Sequence, residues 1–352
     1  MAAGGWRLAA GGWRLALIMS NIQFRHNYND IISLDNLLEA WREFVRGKRN
    51  RKDVQEFGRN LMANIISLHH DLAARTYRHS AYHAFKISDP KPREIHKASV
   101  RDRLLHHAVH RKLAPFFERT FTSDSYSCQM AKGTHRAINR FREFAGIISR
   151  NNTRTAWVLK CDIRKFFANI DQETLLNIVD PYILDKDIVW LLSAIIGSFH
   201  SSRKGIGLPL GNLTSQLLVN IYMNEFDQFI KHRLKAKYYI RYADDFVVLL
   251  PDRSHLERIL PMMKDYLADN LKLTMHPDKI SIQTVASGVD FLGWVHFPDH
   301  RVLRTTTKRR MLKRLKATAC TPATLQSYLG LMSHGNCHKL REICIKSAAI
   351  VE

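Results

Sequence analysis

The chain has 352 residues, 45% hydrophobic and 24% charged, and its 54 Lys and Arg against 32 Asp and Glu give a net charge of +22 and a pI near 10.0. This composition excludes a disordered chain and is enough for two or three packed lobes. A surplus of positive charge this large repels itself without a polyanion, so nucleic acid is the first partner to consider; no apolar run of about 18 residues is present to span a membrane.

The five cysteines, Cys128, Cys161, Cys320, Cys337 and Cys344, are odd in number and form no CxxC pair. They argue for a reducing cytoplasm rather than a disulfide framework. Residues 3–9 and 10–16 repeat the letters AGGWRLA, and residues 1–18 are set aside as a leader or artefact, with Met19 as the functional start. Residues 19–84 read as a basic helical extension, in which Leu37, Trp41 and Val45 recur at i, i+4, i+8 and the run from Gly47 to Lys52 breaks the helix. From Phe85 to Arg103 two prolines, Pro90 and Pro92, deny a helix and predict an extended or hairpin segment. Its cations Lys91, Arg93, Lys97, Arg101 and Arg103 suit either phosphate or solvent. A helix is expected over Leu104–Ala114, with His106, His107 and His110 packing or capping rather than binding metal.

The alternating run Ala156–Ile163 predicts a buried strand closed by Asp162, which is either an N-cap or a ligand. Asp171 reads as an ordinary N-cap. Gly205–Asn220 is a glycine-punctuated turn opening a helix whose Leu218, Tyr222, Phe226 and Phe229 lie on one core stripe. Next, Tyr238–Tyr242 and Phe246–Leu250 flank Ala243-Asp244-Asp245, the pattern of a β-hairpin presenting two adjacent carboxylates. Like charges so placed are either a solvated turn or cation ligands. A helix over about His255–Leu271, the stretch LTMHPDKISIQ and the paired strands of GVDFLGWVHF follow. The last segment carries Lys308, Arg309, Arg310, Lys313, Arg314 and Lys316 at helical spacings able to track a sugar-phosphate backbone. His334, Cys337, His338 and Cys344 do not match a zinc spacing and read as structural.

Two-metal phosphoryl transfer needs carboxylates from separate segments around two cations, the arrangement that a strand end and a hairpin tip supply. From about Phe85 to Asn336 the chain resembles a reverse transcriptase: YADD at Tyr242–Asp245, LKCDIRKFF at Leu159–Phe167, HPDKI at His276–Ile280 and Phe291-Leu292-Gly293 match that family's motifs. The resemblance implies an α+β right-hand polymerase with an antiparallel palm sheet, its fingers at 85–155 and about 170–205, its palm at 156–295 and its thumb at 296–352. It also implies that Asp162 and Asp244 bind two Mg²⁺ ions, replaceable by Mn²⁺, with the Ile163 carbonyl and Asp245 in support. Lys279 would protonate pyrophosphate, Phe167 would exclude a ribose 2′-hydroxyl, and Arg93 with Lys91 would hold the triphosphate of a dNTP. Phe291, Leu292 and Gly293 would grip the primer, and Arg309, Arg310, Lys313 and Arg314 would follow the nucleic acid.

Within the family, LPLGNLTSQ at Leu208–Gln216 has Leu210, Gly211 and Gln216 in an LGxxxSQ pattern where most members carry QGxxxSP. This form, with AKGTHRAI at Ala131–Ile138 and SYLGLMSHGN at Ser327–Asn336, resembles enzymes of diversity-generating retroelements. They copy a template-repeat RNA with errors at adenine for mutagenic retrohoming. Leu210 removes a side-chain hydrogen bond beside the nascent pair, which weakens discrimination. Such an enzyme implies template RNA, cDNA and a small basic oligomeric accessory protein as partners, no membrane, and a cytoplasmic setting in a bacterium, an archaeon or a phage-infected cell. Gln129 departs from the group, which usually has an Arg there. Either Lys132 or a fingers residue compensates, or nucleotide affinity is weaker. The competing readings are a phage-defence or group II intron-like reverse transcriptase and a catalytically silent RNA-binding protein. Against the former, NAxxH and VTG signatures are absent and the chain ends soon after the thumb segment.

Overall fold

The computed structural model of the chain describes residues 22–88, 92–317 and 321–349. In chain order, α1 (Tyr28–Ile32), α2 (Leu34–Phe44), α3 (Lys52–Arg59) and α4 (Leu61–Ala73) lead to β1 (His83–Ile87), β2 (Arg93–Lys97) and α5 (Val100–Phe117). Next come α6 (Thr134–Ile148), β3 (Trp157–Asp162), α7 (Gln172–Val179), α8 (Lys186–Ile196) and α9 (Leu213–Gln228), then β4 (Tyr239–Tyr242) and β5 (Asp245–Leu250). The described chain continues with α10 (Arg253–Leu271), β6 (Ser281–Thr284), β7 (Val289–Phe291), β8 (Trp294–His296), β9 (Arg301–Leu303), α11 (Thr305–Ala317), α12 (Pro322–Met332) and α13 (His338–Ala349). Two compact units arise from interleaved segments. Unit one takes the described residues of 1–120 with 165–222 and 266–273; unit two takes 121–164, 223–265 and the described residues of 274–352.

Local capping chemistry sets the helix starts of unit one. Asn27 and Asp30 form a capping box on α1, Ser33 caps α2, Asp171 caps α7 as its position in the sequence predicts, and Asp185 caps α8. The Asp185 carboxylate also accepts from the Tyr28 amide at 2.6 Å, so one side chain ends two helices' search for partners. Buried Asn36 donates to the carbonyls of Ile31 and Ala108, tying α2 to α5. The expected stripe packs inward, with Leu37 and Val45 buried and Trp41 between Phe44 and Phe57.

One boundary differs from expectation. α5 begins at Val100 rather than Leu104, because the Ser99 hydroxyl accepts from the Asp102 amide and the Asp102 carboxylate is buried among Ser99, Tyr77 and Ser80. Arg101 and Arg103 are therefore helical and paired with Asp71 and Asp53, and Lys97 also meets Asp53. Three of the five cations read as phosphate-seeking are thus engaged inside their own unit. His106 is buried and stacked on His79 with centroids 5.3 Å apart, and burial holds its imidazole down to about 3, in keeping with a packing role.

Unit two is organised on an antiparallel sheet in the order β4-β5-β3-β6. One face, with Val158, Val247, Leu249 and Ile240, packs on Phe141 and Phe144 of α6 and Phe291 of β7. The other face presents Tyr239 and Phe246 to Phe226 of α9, with ring centroids 6.4 and 5.3 Å apart. On that face Arg241 is fully buried. Its Nε and Nη2 each donate to an oxygen of buried Asp227 at 2.7 Å, Nη2 also reaches the Ser125 hydroxyl at 3.0 Å, and Nη1 reaches the Ala243 carbonyl at 3.2 Å. Burial opposes the charge, but Asp227 outweighs it and holds the guanidinium above its ordinary range.

The meander β7-β8-β9 turns through Leu292 and Gly293, both in left-handed backbone (φ 51° and 87°), the two-residue turn that suits a twisted hairpin. Trp294 and Leu303 join Met311, Leu315, Met332 and Leu340 in the last hydrophobic cluster. Gly335 fits against it tightly: a Cβ there would run into the Trp294 ring and lie 2.9 Å from the Arg301 carbonyl oxygen. Cys337 and Cys344 are buried, as a structural reading expects, whereas Cys320 lies outside the described residues. Among the described residues no helix is long and apolar enough to cross a membrane.

Removing one partner of the Arg241–Asp227 pair leaves the other charge buried. Asp227→Ala should lose about 3–5 kcal/mol of stability in urea titrations, and the double variant Asp227→Leu/Arg241→Met should recover most of it. A double variant no more stable than Asp227→Ala would contradict this account.

Candidate active site

Pairing of β3 with β5 sets Asp162 directly opposite Asp245, and pairing of β4 with β5 sets Tyr242 opposite the same residue. The hairpin turn is therefore only Ala243 and Asp244, with Ala243 in left-handed backbone at φ 56°. This revises the expectation of two carboxylates side by side at a tip. Asp244 sits in the turn, whereas Asp245 is the first residue of β5 and faces its cross-strand neighbour Asp162. The strand end is tied to the turn by the Ile163 amide, which donates to the Asp244 carbonyl at 3.1 Å, and to the HPDKI segment by the His276 amide on the Asp162 carbonyl at 2.8 Å.

Lys279 ends a short 3₁₀ turn, Pro277–Lys279, and its Nζ donates to Asp162 Oδ1 at 2.7 Å. Asp245 Oδ1 is buried and has no hydrogen-bond partner among the described residues. Its pKa is pushed up to about 7, first by burial; Lys160 pulls it down, and Asp162 and Asp244 push it up. Lys160 and Arg304 are placed by Asp290, the first through its carbonyl and the second through its carboxylate. These three residues, like Arg241 and Asp227, were not singled out in the sequence. A charged residue inside an apolar strand, as in YYIRY and WVLKCD, is the local signal that marks Arg241 and Lys160.

The site's donors are hard oxygens, the type that holds Mg²⁺ or Mn²⁺, and the buried, unpartnered Asp245 oxygen fits a cation ligand. Among the described residues no three His, Cys, Asp or Glu side chains lie close enough to hold an ion as they stand. The Lys279 ammonium already rests on Asp162, one of the carboxylates an ion would need.

Unit one assembles a second group of motif residues through its backbone. Phe167 lies in the 3₁₀ turn Phe166–Asn169, half-buried against the buried Phe166 ring, and its carbonyl accepts from the Leu208 amide at 2.8 Å. Two residues on, the Leu210 carbonyl accepts from the His96 amide at 3.1 Å. Gly211, at φ 111°, passes so close to β2 that a Cβ would come within 3.0 Å of Ile95. Phe167, Leu210, Gly211 and the strand that begins with exposed Arg93 are thereby neighbours; Gln216 is half-buried on α9, and Lys91 lies outside the described residues. The Asn212 amide nitrogen is buried without a partner among the described residues, another polar group the motif reading passed over.

The structure places both side chains of the Gln129 question on one loop. Gln129 Nε2 donates to the Ser125 carbonyl and hydroxyl, both at 3.0 Å. Lys132 Nζ donates to the carbonyls of Thr122, Ser123 and Ser125. Arg309, Arg310, Lys313 and Arg314 are exposed on α11, whose approach is fixed by the Arg304 amide on the Gly293 carbonyl at 3.0 Å.

The family model for reverse transcriptase (RNA-dependent DNA polymerase) matches residues 86–296, which include both carboxylate strands, the HPDKI turn and the Phe291-Leu292-Gly293 hairpin. The chain belongs to the reverse transcriptase family. Its α+β architecture and antiparallel carboxylate-bearing sheet accord with a right-hand polymerase. Protein YkfC of Escherichia coli is 27% identical over 260 residues, covering 63% of this chain and 66% of that protein. Group II intron-encoded protein LtrA of Lactococcus lactis is 24% identical over 301 residues, covering 66% of this chain and 48% of that protein. The chain thus spans less than two thirds of the length of these relatives. A telomerase structure from Candida albicans, in complex with a telomeric RNA fragment, is similar over 70% of this chain and 51% of its own, with 10% identity and a TM-score of 0.49.

A cation that takes Asp162 Oδ1 must displace the Lys279 ammonium, a partly exposed pair worth at most about 1 kcal/mol. Lys279→Met should therefore bind Mn²⁺ roughly two- to fivefold more tightly than wild type without nucleotide, measured by electron paramagnetic resonance. Equal or weaker binding would show that the pair does not guard the site.

Proposed function

We propose that the chain is an RNA-directed DNA polymerase of the error-prone, diversity-generating retroelement type. The observation that carries the polymerase reading is the cross-strand pairing of Asp162 with Asp245, with Asp244 in the adjoining turn and Lys279 on Asp162. In this reading Asp162 and Asp244 hold two Mg²⁺ ions, with Asp245 and the Ile163 carbonyl in support; when bound, the ions neutralise the triphosphate and favour attack by the primer 3′-oxygen.

The chain's own groups do the remainder. Arg93 holds the triphosphate, and the Phe167 ring bars a ribose 2′-hydroxyl. Lys279 gives a proton to the departing pyrophosphate. Leu292 and its hairpin seat the primer terminus, and the cations of α11 follow the duplex backbone. In this reading the fingers take 85–155 and about 170–205, the palm the rest of 156–295, and the thumb 296–352.

Leu210 supports the error-prone reading. Its backbone is held by His96 while its half-buried aliphatic side chain brings no hydrogen bond to a base. Gln129, engaged with Ser125, likewise adds no cation. Template-repeat RNA, dNTPs and a small basic oligomeric accessory protein are the partners this role requires. A second reading, a group II intron-like enzyme, draws support from similarity to the intron-encoded protein LtrA.

Sequencing cDNA made by the purified protein on its neighbouring noncoding RNA separates these readings. Substitutions confined largely to template adenines are expected, faithful cDNA favours the intron-like enzyme, and a wild type no more active than Asp244→Ala leaves a silent RNA-binding protein. Restoring one hydrogen bond with Leu210→Gln should reduce misincorporation by about two- to tenfold. An unchanged error frequency would remove Leu210 from the explanation.

A further inference from the structure

The outer side of α6 and the loop after it contain five arginines, Arg136, Arg140, Arg142, Arg150 and Arg154, against one acid, Glu143. A groove of about 890 Å³ opens there between α6, the loop 150–152 and the turn at Pro298-Asp299; none of its lining residues belongs to the carboxylate sheet. Several of its acceptors are engaged by neighbouring donors. Glu143 receives Arg140 at 2.7 Å, and Asp299 is 2.7 Å from the His300 ring nitrogen. The Asn139 side-chain oxygen accepts from Arg301 at 2.8 Å, and that of Asn152 accepts from the Ser149 hydroxyl at 3.2 Å.

Beside them stand the donor groups of four side chains. Both asparagines keep their NH₂ groups, and Arg142 and Arg150 are exposed. Arg142 also stands near enough to Arg301 that its charge, after burial, holds the Arg301 guanidinium below its usual value. Arg142 and Arg150 line the groove, and two exposed guanidinium groups beside amide donors favour an anion. The loop keeps its shape at a cost: Arg150, Asn151 and Asn152 are all left-handed (φ 48°, 55° and 70°), pinned by Asn152 N–H on the Ser149 hydroxyl and Asn151 N–H on the Gly146 carbonyl. Ile147, 50% exposed, lends an apolar patch for a ribose or base face.

We infer that this groove docks the sugar-phosphate backbone of folded template RNA, outside the polymerising site. The choice of RNA rests on the proposed polymerase function, since a template folded beyond the copied strand is the polyanion that such an enzyme meets. Arg142 and Arg150 each contact a phosphate, and the Asn139 and Asn152 amides donate to phosphate or 2′-hydroxyl oxygens.

The test is fluorescence anisotropy with an RNA hairpin of about 16 base pairs across a salt series, alongside extension of a DNA primer on a short unstructured RNA. For Arg142→Ala/Arg150→Ala the slope of log affinity against log salt should fall by about 2, with primer extension unchanged. The Arg142→Lys/Arg150→Lys protein, which keeps both charges, should retain the wild-type slope. An unchanged slope in the alanine protein overturns the proposal. So does an equal dependence for a DNA hairpin of the same sequence, or a loss of primer extension in parallel with hairpin binding. If the wild type extends no primer, the polymerase reading fails while the hairpin measurement still reports on the groove.

Discussion

A guanidinium buried without water must be matched on every side, and Arg241 is matched by elements far apart in sequence. Asp227 neutralises it, Ser125 shares its Nη2, and the Ala243 carbonyl takes its Nη1. Its backbone joins in as well: the Arg241 amide donates to the Asp124 carbonyl and its carbonyl accepts from the Tyr126 amide, both at 3.0 Å. The last of these side-chain contacts reaches the left-handed residue that turns the chain into Asp244. The hairpin that carries the carboxylates is therefore held from behind by a buried charge pair, which penalises misalignment more steeply than apolar contacts would.

The loop that completes this cage is itself braced by two side chains that the sequence reading weighed for charge near the nucleotide, Gln129 as lacking it and Lys132 as a candidate substitute. Gln129 and Lys132 both bond to Ser125. The absence of an arginine at 129 thus has a structural counterpart: a neutral amide beside Arg241 satisfies Ser125 without adding a second buried cation. On the sheet's other side, Lys160 and Arg304 converge on Asp290 and temper the charge of Asp245. These cations offset only part of the cost of crowding buried carboxylates, and Asp245 keeps one oxygen without a partner among the described residues.

Much of this was legible because it is local. Alternation marked β3 and β5, turn chemistry marked the hairpin, and single side chains marked the caps at Asp171 and Asp162's strand end. Where the sequence misled, the deciding contact was distant or the count of turn residues was off by one. Arg101 and Arg103 looked available for phosphate until Asp71 and Asp53 were placed beside them. Asp245 read as half of an exposed pair, yet a two-residue turn carries it into the strand and buries one oxygen. The start of α5 was written in Ser99-x-x-Asp102, but the prolines before it drew the extended reading too far.

The turn at Leu292-Gly293 has a further meaning. A hairpin that needs left-handed backbone at both positions is most stable with Asn-Gly, and leucine there forgoes about 1–2 kcal/mol. The chain keeps an aliphatic knob at the apex of a short ribbon whose base is clamped by Arg304 on Asp290. Half-buried, Leu292 packs against both the cluster around Phe291 and the one around Trp294, so the strained turn acts as a splice: a single side chain belongs to two cores at once and ties the carboxylate sheet to the helices that follow it.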